Sequence, residues 1–422
     1  MWCCNSKECI LLHLLWADDL VLLVDSPSSK QKQLDGLFKF VSSYQMIVNE
    51  MKTKIVIYGK SNPNQEHRFQ FNYKDIDIVE SYKYLGCIFN SCNSIRGNIF
   101  KEMVTYSADK AIRASFAVVK KYSSVGYLSP KIGIHLFDTC ISPILNYSSE
   151  IWCTGKESTR IERVQLRFLK LLLGVKNSTC NLAIYGETGR FPLILYQKLK
   201  VVDYWLRLVR LNKNSLLTQV FRMVKNLHNS GFKTLLGTVE SILKEANLEA
   251  YLECDHMDEK VCNTVRITLK TFLYDSYVND WYKDISAFPK MRSLVTFKHT
   301  FRLETYLLTL TDFKLRKLLS KFRMSSHDLE IEKGRYLKPA IPACERICKL
   351  CNTSIENEEH ILVECKTYRD LRLEYFKKTG TVQSCDTSTT FINLMNSKDS
   401  NVIFYTAKYL EKVFVRRSQL LK

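Results

Sequence analysis

Ile10-Leu11-Leu12-His13-Leu14-Leu15-Trp16-Ala17-Asp18-Asp19-Leu20-Val21-Leu22-Leu23-Val24 is the most apolar stretch of the chain, and two adjacent carboxylates break it past its middle. Two short apolar runs around a polar centre predict a buried β-hairpin with Asp18-Asp19 at its turn. The same charges exclude a membrane span, which needs about twenty predominantly apolar residues. Working outward, Asp25-Ser26-Pro27-Ser28-Ser29 reads as a loop able to cap a helix, and Leu34, Leu37, Phe38, Val41 and Tyr44 then recur at helical spacing. Lys54 to Tyr58 returns to strand chemistry, and Tyr82 to Phe89 is a further strand candidate. Residues 1–92 therefore predict an α+β unit, a sheet with one covering helix.

Beyond it the pattern is helical. Residues 94–121 carry Ile99, Met103, Ala108, Ala111, Ile112 and Val119 among Lys and Arg, as one long amphipathic helix would. Over 159–173, Thr159 is a candidate N-cap with Glu162 completing a capping box, Ile161, Val164, Phe168, Leu169 and Leu172 form the apolar stripe, and Gly174 stops the helix. Residues 196–335 read as predominantly helical, Pro339 and Pro342 mark a break, and a last helix is expected from Asn401 to Arg417. Only 14 Gly and 8 Pro punctuate 422 residues, which favours long helices over a turn-rich sandwich. The expected fold is α+β and predominantly helical, in five segments: 1–92, 93–195, 196–338, 339–380 and 381–422.

Composition narrows the function. Hydrophobic residues at 46% and aromatics at 12% suffice for packed cores, so wholesale disorder is excluded. With 62 Lys+Arg against 43 Asp+Glu the formal charge is +19, an excess best tolerated beside a polyanion, and nucleic acid is the leading candidate. The opening Met1-Trp2-Cys3-Cys4 has neither a basic n-region nor a cleavage site, so the expectation is an intracellular, soluble chain, nuclear or cytoplasmic. In a reducing compartment, 15 Cys point to metal before disulfide.

Two constellations carry chemistry. Asp18 and Asp19 at a hairpin tip repel each other, and a hard divalent cation such as Mg²⁺ relieves that repulsion; the plain alternative is a solvated turn. Cys348-x2-Cys351-x8-His360-x4-Cys365 offers thiolate and imidazole ligands at a spacing suited to tetrahedral Zn²⁺, the alternative being four reduced buried side chains. Cys344 could compete as a ligand. A softer signal is the positive stripe Arg160, Arg163, Arg167 and Lys170 at three- and four-residue steps, either a backbone-tracking face or a solvated helix side.

Trp16-Ala17-Asp18-Asp19-Leu20-Val21-Leu22-Leu23, an amphipathic helix, Val48-Asn49 with Lys52-Thr53-Lys54, and Tyr84-Leu85-Gly86 together resemble the second half of a reverse transcriptase palm of the non-LTR (LINE-type) retrotransposons. The resemblance implies that Asp18 and Asp19 are two of three Mg²⁺-binding catalytic aspartates, with Trp16 where the family mostly has Tyr or Phe, beside Ala17. It places Asn49, Lys52 and Lys54 near the incoming nucleotide, Lys52 supplying positive charge and a proton for pyrophosphate; an exposed lysine at a strand entry is the alternative for Lys52. Tyr84, Leu85 and Gly86 match the primer-grip turn. The helix 160–173, Tyr185-Gly186-Glu187 and Gly189-Arg190-Phe191-Pro192-Leu193 resemble the thumb region. Cys348, Cys351, His360 and Cys365, after Arg323-Met324-Ser325-Ser326-His327 and Glu330-Ile331-Glu332-Lys333-Gly334-Arg335, resemble the family's C-terminal CCHC element, which favours these four ligands over Cys344 and His327. There Arg335, Lys338, Arg346 and Lys349 would contact phosphates. The implied reaction is nucleotidyl transfer onto a DNA primer templated by RNA, with two Mg²⁺ and one Zn²⁺. Only 17 residues precede Asp18, too few for the family's fingers and first catalytic aspartate. The expectation is therefore a truncated polymerase with an incomplete two-ion clamp on its own, or a zinc-dependent RNA-binding protein without catalysis.

Overall fold

Helices carry most of the structure, as the apolar spacing after residue 100 requires, and short strands are confined to the N-terminal part. The computed structural model describes residues 4–5, 8–9, 13–59, 68–91, 99–123, 128–153, 158–211, 215–254, 256–382 and 386–422. Contacts divide the chain into two compact units assembled from non-consecutive stretches. One comprises Met1–Asp109, Asn146–Glu157 and Lys200–Arg266, the other Lys110–Leu145, Ser158–Leu199 and Ile267–Lys422. The segments 93–195 and 196–338 thus each contribute to both, while 339–380 and 381–422 lie wholly in the second.

In the first unit, strands among the described residues pair only as two-stranded antiparallel ribbons: β1 (Cys4–Asn5) with β2 (Glu8–Cys9), β3 (His13–Trp16) with β4 (Asp19–Leu22), β5 (Gln70–Phe71) with β6 (Lys74–Asp75), and β7 (Ser81–Tyr84) with β8 (Cys87–Asn90). Residues 10–12 of the expected first hairpin strand lie outside the described residues. Behind β4 runs the helix Pro27–Ser43, started by Ser26, whose hydroxyl accepts from the Ser29 amide, and by a proline in its first turn. Leu34 and Val41 of this helix pack with Ile55, Phe69, Phe71 and Ile76 into a small core against which Leu22 also packs.

Two expectations here need correction. Lys54 to Tyr58 is not a continuous paired strand: Ile55 and Tyr58 form isolated bridges, that of Ile55 to Ile78. Tyr82 to Phe89 is not one strand but a hairpin: Leu85 and Gly86 both take positive φ, 46° and 83°, and reverse the chain between Tyr84 and Cys87. Two left-handed residues in succession are what a tight two-residue turn demands.

The second unit contains a large apolar core. It joins the helices Ser158–Leu173, Asn181–Thr188, Phe313–Arg323, Arg369–Thr379, Thr387–Met395 and Ser400–Leu420, the last capped by Asp399. Gly174, at φ 68°, ends the Ser158–Leu173 helix as its sequence implied. The capping box did not form: the helix begins at Ser158, one residue before the expected cap, and Glu162 points elsewhere. Its carboxylate accepts from the Tyr185 hydroxyl, Gln165 Nε2 (2.9 Å) and the Leu193 amide (2.7 Å), tying three elements together. Helix 94–121 is observed as Lys101–Ser123, and residues 94–98 fall outside the described residues.

The Tyr185–Leu193 motif is explained by packing. A Cβ on Gly186 would lie 2.3 Å from Trp281 Cζ2. Glu187, fully buried, takes both Nε and Nη2 of Arg323 at 2.9 Å, and Arg190 forms a two-pronged pair with Asp138. Removing one partner of a buried pair strands the other charge in a dry interior. We expect Glu187→Ala to cost about 3–5 kcal/mol in denaturant unfolding; a loss under about 1 kcal/mol would show that Arg323 is satisfied by Glu304, 3.4 Å away, or by water.

Candidate functional site

Cys348, Cys351, His360 and Cys365 each bring one ligand atom within 4.8 Å of all the others. Among the described residues they are the only convergent group of three or more His, Cys, Asp or Glu. The loop is shaped by its backbone. Cys348 N donates to Ser354 O (2.9 Å), Asn352 N returns to Cys348 O (2.9 Å), and Asn352 takes a left-handed φ of 54°, so the chain doubles back and brings Cys351 beside Cys348. His360 opens a single π-helical turn, His360–Glu364, whose end Cys365 closes by donating its backbone N–H to His360 O (2.8 Å). That wide turn brings the fourth ligand back to the imidazole, consistent with the enrichment of π turns at functional sites.

The donor set fits a structural zinc ion. A tetrahedron with Zn–S of about 2.3 Å and Zn–N of about 2.0 Å has ligand-to-ligand edges near 3.5–3.8 Å, and Cys351 Sγ lies 3.3 Å from His360 Nε2. The other imidazole nitrogen, Nδ1, is 3.2 Å from Glu364 Oε2, the carboxylate–histidine arrangement that fixes a metal-binding tautomer. With protein groups alone, hydrogen bonding to Cys365 and burial push Cys348 up to about 12, and the same bond lowers Cys365. Burial lowers His360, but its bonds to Cys348 and Glu364 prevail and raise it to about 9. Sulfurs and imidazole crowded this closely compete for protons, and a cation that replaces those protons relieves the competition. Cys344 is exposed and outside the group, and His327 is engaged elsewhere.

Around the ligands lies a set of buried charges that spacing did not reveal. Glu358 accepts from His327 Nε2 (2.8 Å), Ser325 Oγ (2.7 Å), Ser293 Oγ (2.8 Å) and Arg292 Nη2 (2.9 Å). Burial alone would raise this carboxyl, yet His327 and Arg292 hold it well below the usual range. Glu356 takes Arg417 Nε and Nη2 at 2.8 and 2.7 Å. The available signal was the acidic spacer Glu356-Asn357-Glu358-Glu359 before His360.

Several expected phosphate contacts are corrected by burial. Arg346 is buried, and its guanidinium donates to Ile331 O (2.6 Å) and Ile341 O (2.9 and 2.7 Å), so it is turned to the backbone and not to a phosphate at the surface. Lys170 is buried and donates to Asn177 O (2.7 Å), so the exposed stripe is Arg160, Arg163 and Arg167, the last over the Phe116 ring at 5.2 Å. Lys338 is exposed, Lys349 pairs with Glu330 (3.1 Å), and Arg335 lies 3.5 Å from Glu332.

In the first unit, the β3–β4 register pairs Trp16 with Asp19, so Ala17 and Asp18 form the turn and Ala17 adopts φ 54°. Asp18, Asp19 and Trp16 are exposed, and neither carboxylate has an ion pair or hydrogen bond among the described residues. Asn49 closes a turn on the amide of Lys52 (3.1 Å to Oδ1), while Lys54 pairs with Asp77 at 2.5 Å. The Lys52 carbonyl accepts from the Tyr82 hydroxyl (3.0 Å), which links this turn to β7, two residues before Tyr84. What approaches Gly86 closely is Tyr147, whose ring a Cβ would meet at 3.0 Å and whose hydroxyl donates to Leu85 O (2.7 Å).

These features define a mostly helical protein with a Cys3His cluster able to hold a metal such as zinc, and no helix among the described residues is long and apolar enough to cross a membrane. The chain is similar to an uncharacterized transposon-derived protein of Caenorhabditis elegans, 27% identical over 169 residues, which cover 39% of this chain and 57% of that protein. It therefore spans little more than half the length of that relative. No protein-family model and no solved structure matches.

Purified protein should retain about one zinc per chain, and Cys348→Ser should lose it. Glu364→Gln should weaken zinc binding by about 10–100-fold without abolishing it, read by competition with a chromogenic chelator. An unchanged affinity would remove Glu364 from the site.

Proposed function

We propose that this chain derives from the RNA-directed DNA polymerase of a non-LTR retrotransposon, contributing part of a palm, a thumb-like helical region and a zinc element. The observation that carries the reading is the exposed Asp18-Asp19 pair at the Trp16–Asp19 hairpin, with an aromatic side chain paired across the turn. The transposon-derived relative supports that origin. In this reading Asp18 and Asp19 are Mg²⁺ ligands that align a primer hydroxyl and a nucleotide triphosphate, and Lys52 lends positive charge to the leaving pyrophosphate. Template RNA and a DNA primer are the partners.

The Cys3His cluster favours a second reading, a zinc-dependent RNA-binding protein without catalysis. In it the metal replaces hydrophobic core and presents exposed cations such as Lys338 to phosphates.

Primer extension on an RNA template with Mg²⁺ distinguishes the two. The polymerase reading expects incorporation that falls roughly hundredfold or more in Asp18→Asn and Asp19→Asn; equal incorporation by wild type and variants removes the pair from catalysis. The binding reading expects RNA affinity that declines steeply with salt and disappears with zinc in Cys348→Ser. Affinity that survives loss of the metal unchanged defeats it.

A further inference from the structure

Tyr336 is conspicuous because the segment bearing it is otherwise tightly closed. Gly334 O accepts from Ile341 N (3.0 Å), so the chain from Gly334 to Ile341 forms a loop with a pinned base. Arg346 lies against Gly334, where a Cβ would come within 2.9 Å of its Cδ, and bonds to carbonyls on both sides of the loop. The Arg346 carbonyl in turn accepts from Glu356 N (2.9 Å), which fastens the loop to the metal-binding segment. At its tip Tyr336 remains 63% exposed and Leu337 50% exposed. A rigid base under an exposed ring is an arrangement in which little conformational entropy is lost when something stacks on it.

The charges around the ring are unbalanced. Lys290 Nζ lies 5.9 Å from the Tyr336 ring centroid and 3.4 Å from its hydroxyl. Two buried acids face three cations: Glu332 and Glu358 share Arg292, each at 2.9 Å, and Glu332 also lies 3.5 Å from Arg335 and 3.9 Å from Lys290, whose side chain is 12% exposed. Neither Glu332 Oε2 nor Arg335 Nε makes a hydrogen bond there, so Glu332 satisfies one cation well and leaves the others short of partners. Two residues beyond the ring, Lys338 adds a further exposed charge.

We propose that Tyr336 is a stacking platform for an unpaired base of a single-stranded nucleic acid, with Lys290 and Arg335 taking the adjacent phosphates. This rests on the nucleic-acid-binding reading of the zinc element and specifies its ligand. A duplex keeps its bases stacked on one another and gains nothing from a lone ring, whereas an unpaired base finds in Tyr336 an apolar face. An acidic peptide would use the cations and leave the ring idle.

The test is binding of a fluorescein-labelled oligouridine to the full-length, zinc-loaded chain by anisotropy, with a labelled RNA hairpin as the duplex control. Tyr336→Ala should weaken oligouridine binding roughly tenfold and leave the duplex unaffected, while Tyr336→Phe, which keeps the ring, should bind as wild type does. Lys290→Gln and Arg335→Gln should each reduce the slope of log affinity against log salt by about 0.7. Zinc content and thermal unfolding of each variant verify the fold. If wild type binds oligouridine in a zinc-dependent way and Tyr336→Ala binds equally well, the platform is overturned while the broader reading survives. If polyglutamate displaces oligouridine as readily from wild type as from Tyr336→Ala, the surface is a general polyanion site and the proposal also fails. Absence of RNA binding by wild type overturns the broader reading itself, and the platform with it.

Discussion

Arg417 holds the metal-binding segment against the C-terminal helix through Glu356, a carboxylate with no solvent exposure at all. Glu356 lies eight residues after Cys348 and four before His360, so its position sets the path of the spacer between the two halves of the ligand set. Its second oxygen also accepts from Glu330 N at 2.7 Å, and its amide donates to Arg346 O. Arg417, Glu330 and Arg346 thus reach one residue from three places in the sequence. Burying such an ion pair gains little over a hydrophobic pair of the same size, but breaking one half is expensive. The pair therefore contributes specificity: alternative registers of the loop leave a charge dry and unpaired. A zinc ion acts in the same sense, adding bond strength to a path that the buried charges already select.

How much of this was legible in the sequence depended on the range of the signal. The ligand spacing Cys348, Cys351, His360, Cys365 was readable because four donors lie within eighteen residues and a metal imposes short-range geometry. The β3–β4 hairpin was readable for a similar reason, its polar centre interrupting an apolar run, but its expected burial is corrected: Leu14, Leu15, Trp16 and Leu20 are exposed. Glu162 is ambiguous because a capping box and a long-range acceptor look alike in sequence; the difference lies in Tyr185 and Leu193, which approach only after folding. The same holds for Arg346 and Lys170. Their carbonyl partners are backbone atoms, which carry no signature in the residue types. Tyr82 to Phe89 reads as one strand because Leu85 does not advertise a left-handed turn, and Gly86 alone is an ambiguous mark.

The net charge of +19 has to be reread in that light. Arg316, Arg323, Arg346, Arg372 and Arg417 are all buried and all donate to backbone carbonyls or carboxylates within the second unit. Arginine suits this use because its planar fork satisfies several acceptors at once and does not deprotonate. Counting basic residues thus overstates the surface available to a polyanion, and spacing along a helix does not correct the count. The cations that matter for binding are those whose acids are outnumbered, as at Glu332, or that stand exposed, as Lys338 does.

The Cys3His cluster and the carboxylate pair proposed for Mg²⁺ have opposite burial, and under that proposal each matches its donor atoms. Cys348 and Cys365 are fully buried and His360 nearly so, which suits soft thiolate ligands that complete a closed tetrahedron and need no substrate access. Asp18 and Asp19 are exposed at a turn, which suits hard carboxylate ligands to a cation that keeps water and phosphate oxygens in its coordination sphere. Reversing the two would defeat both: buried unpaired carboxylates would take up protons instead of a metal, and exposed thiolates would be open to oxidation. Adjacent carboxylates are a common feature of solvated turns. What makes this pair worth testing as a reactive site is its combination of exposure, lack of protein partners among the described residues, and an aromatic neighbour across the strand pair.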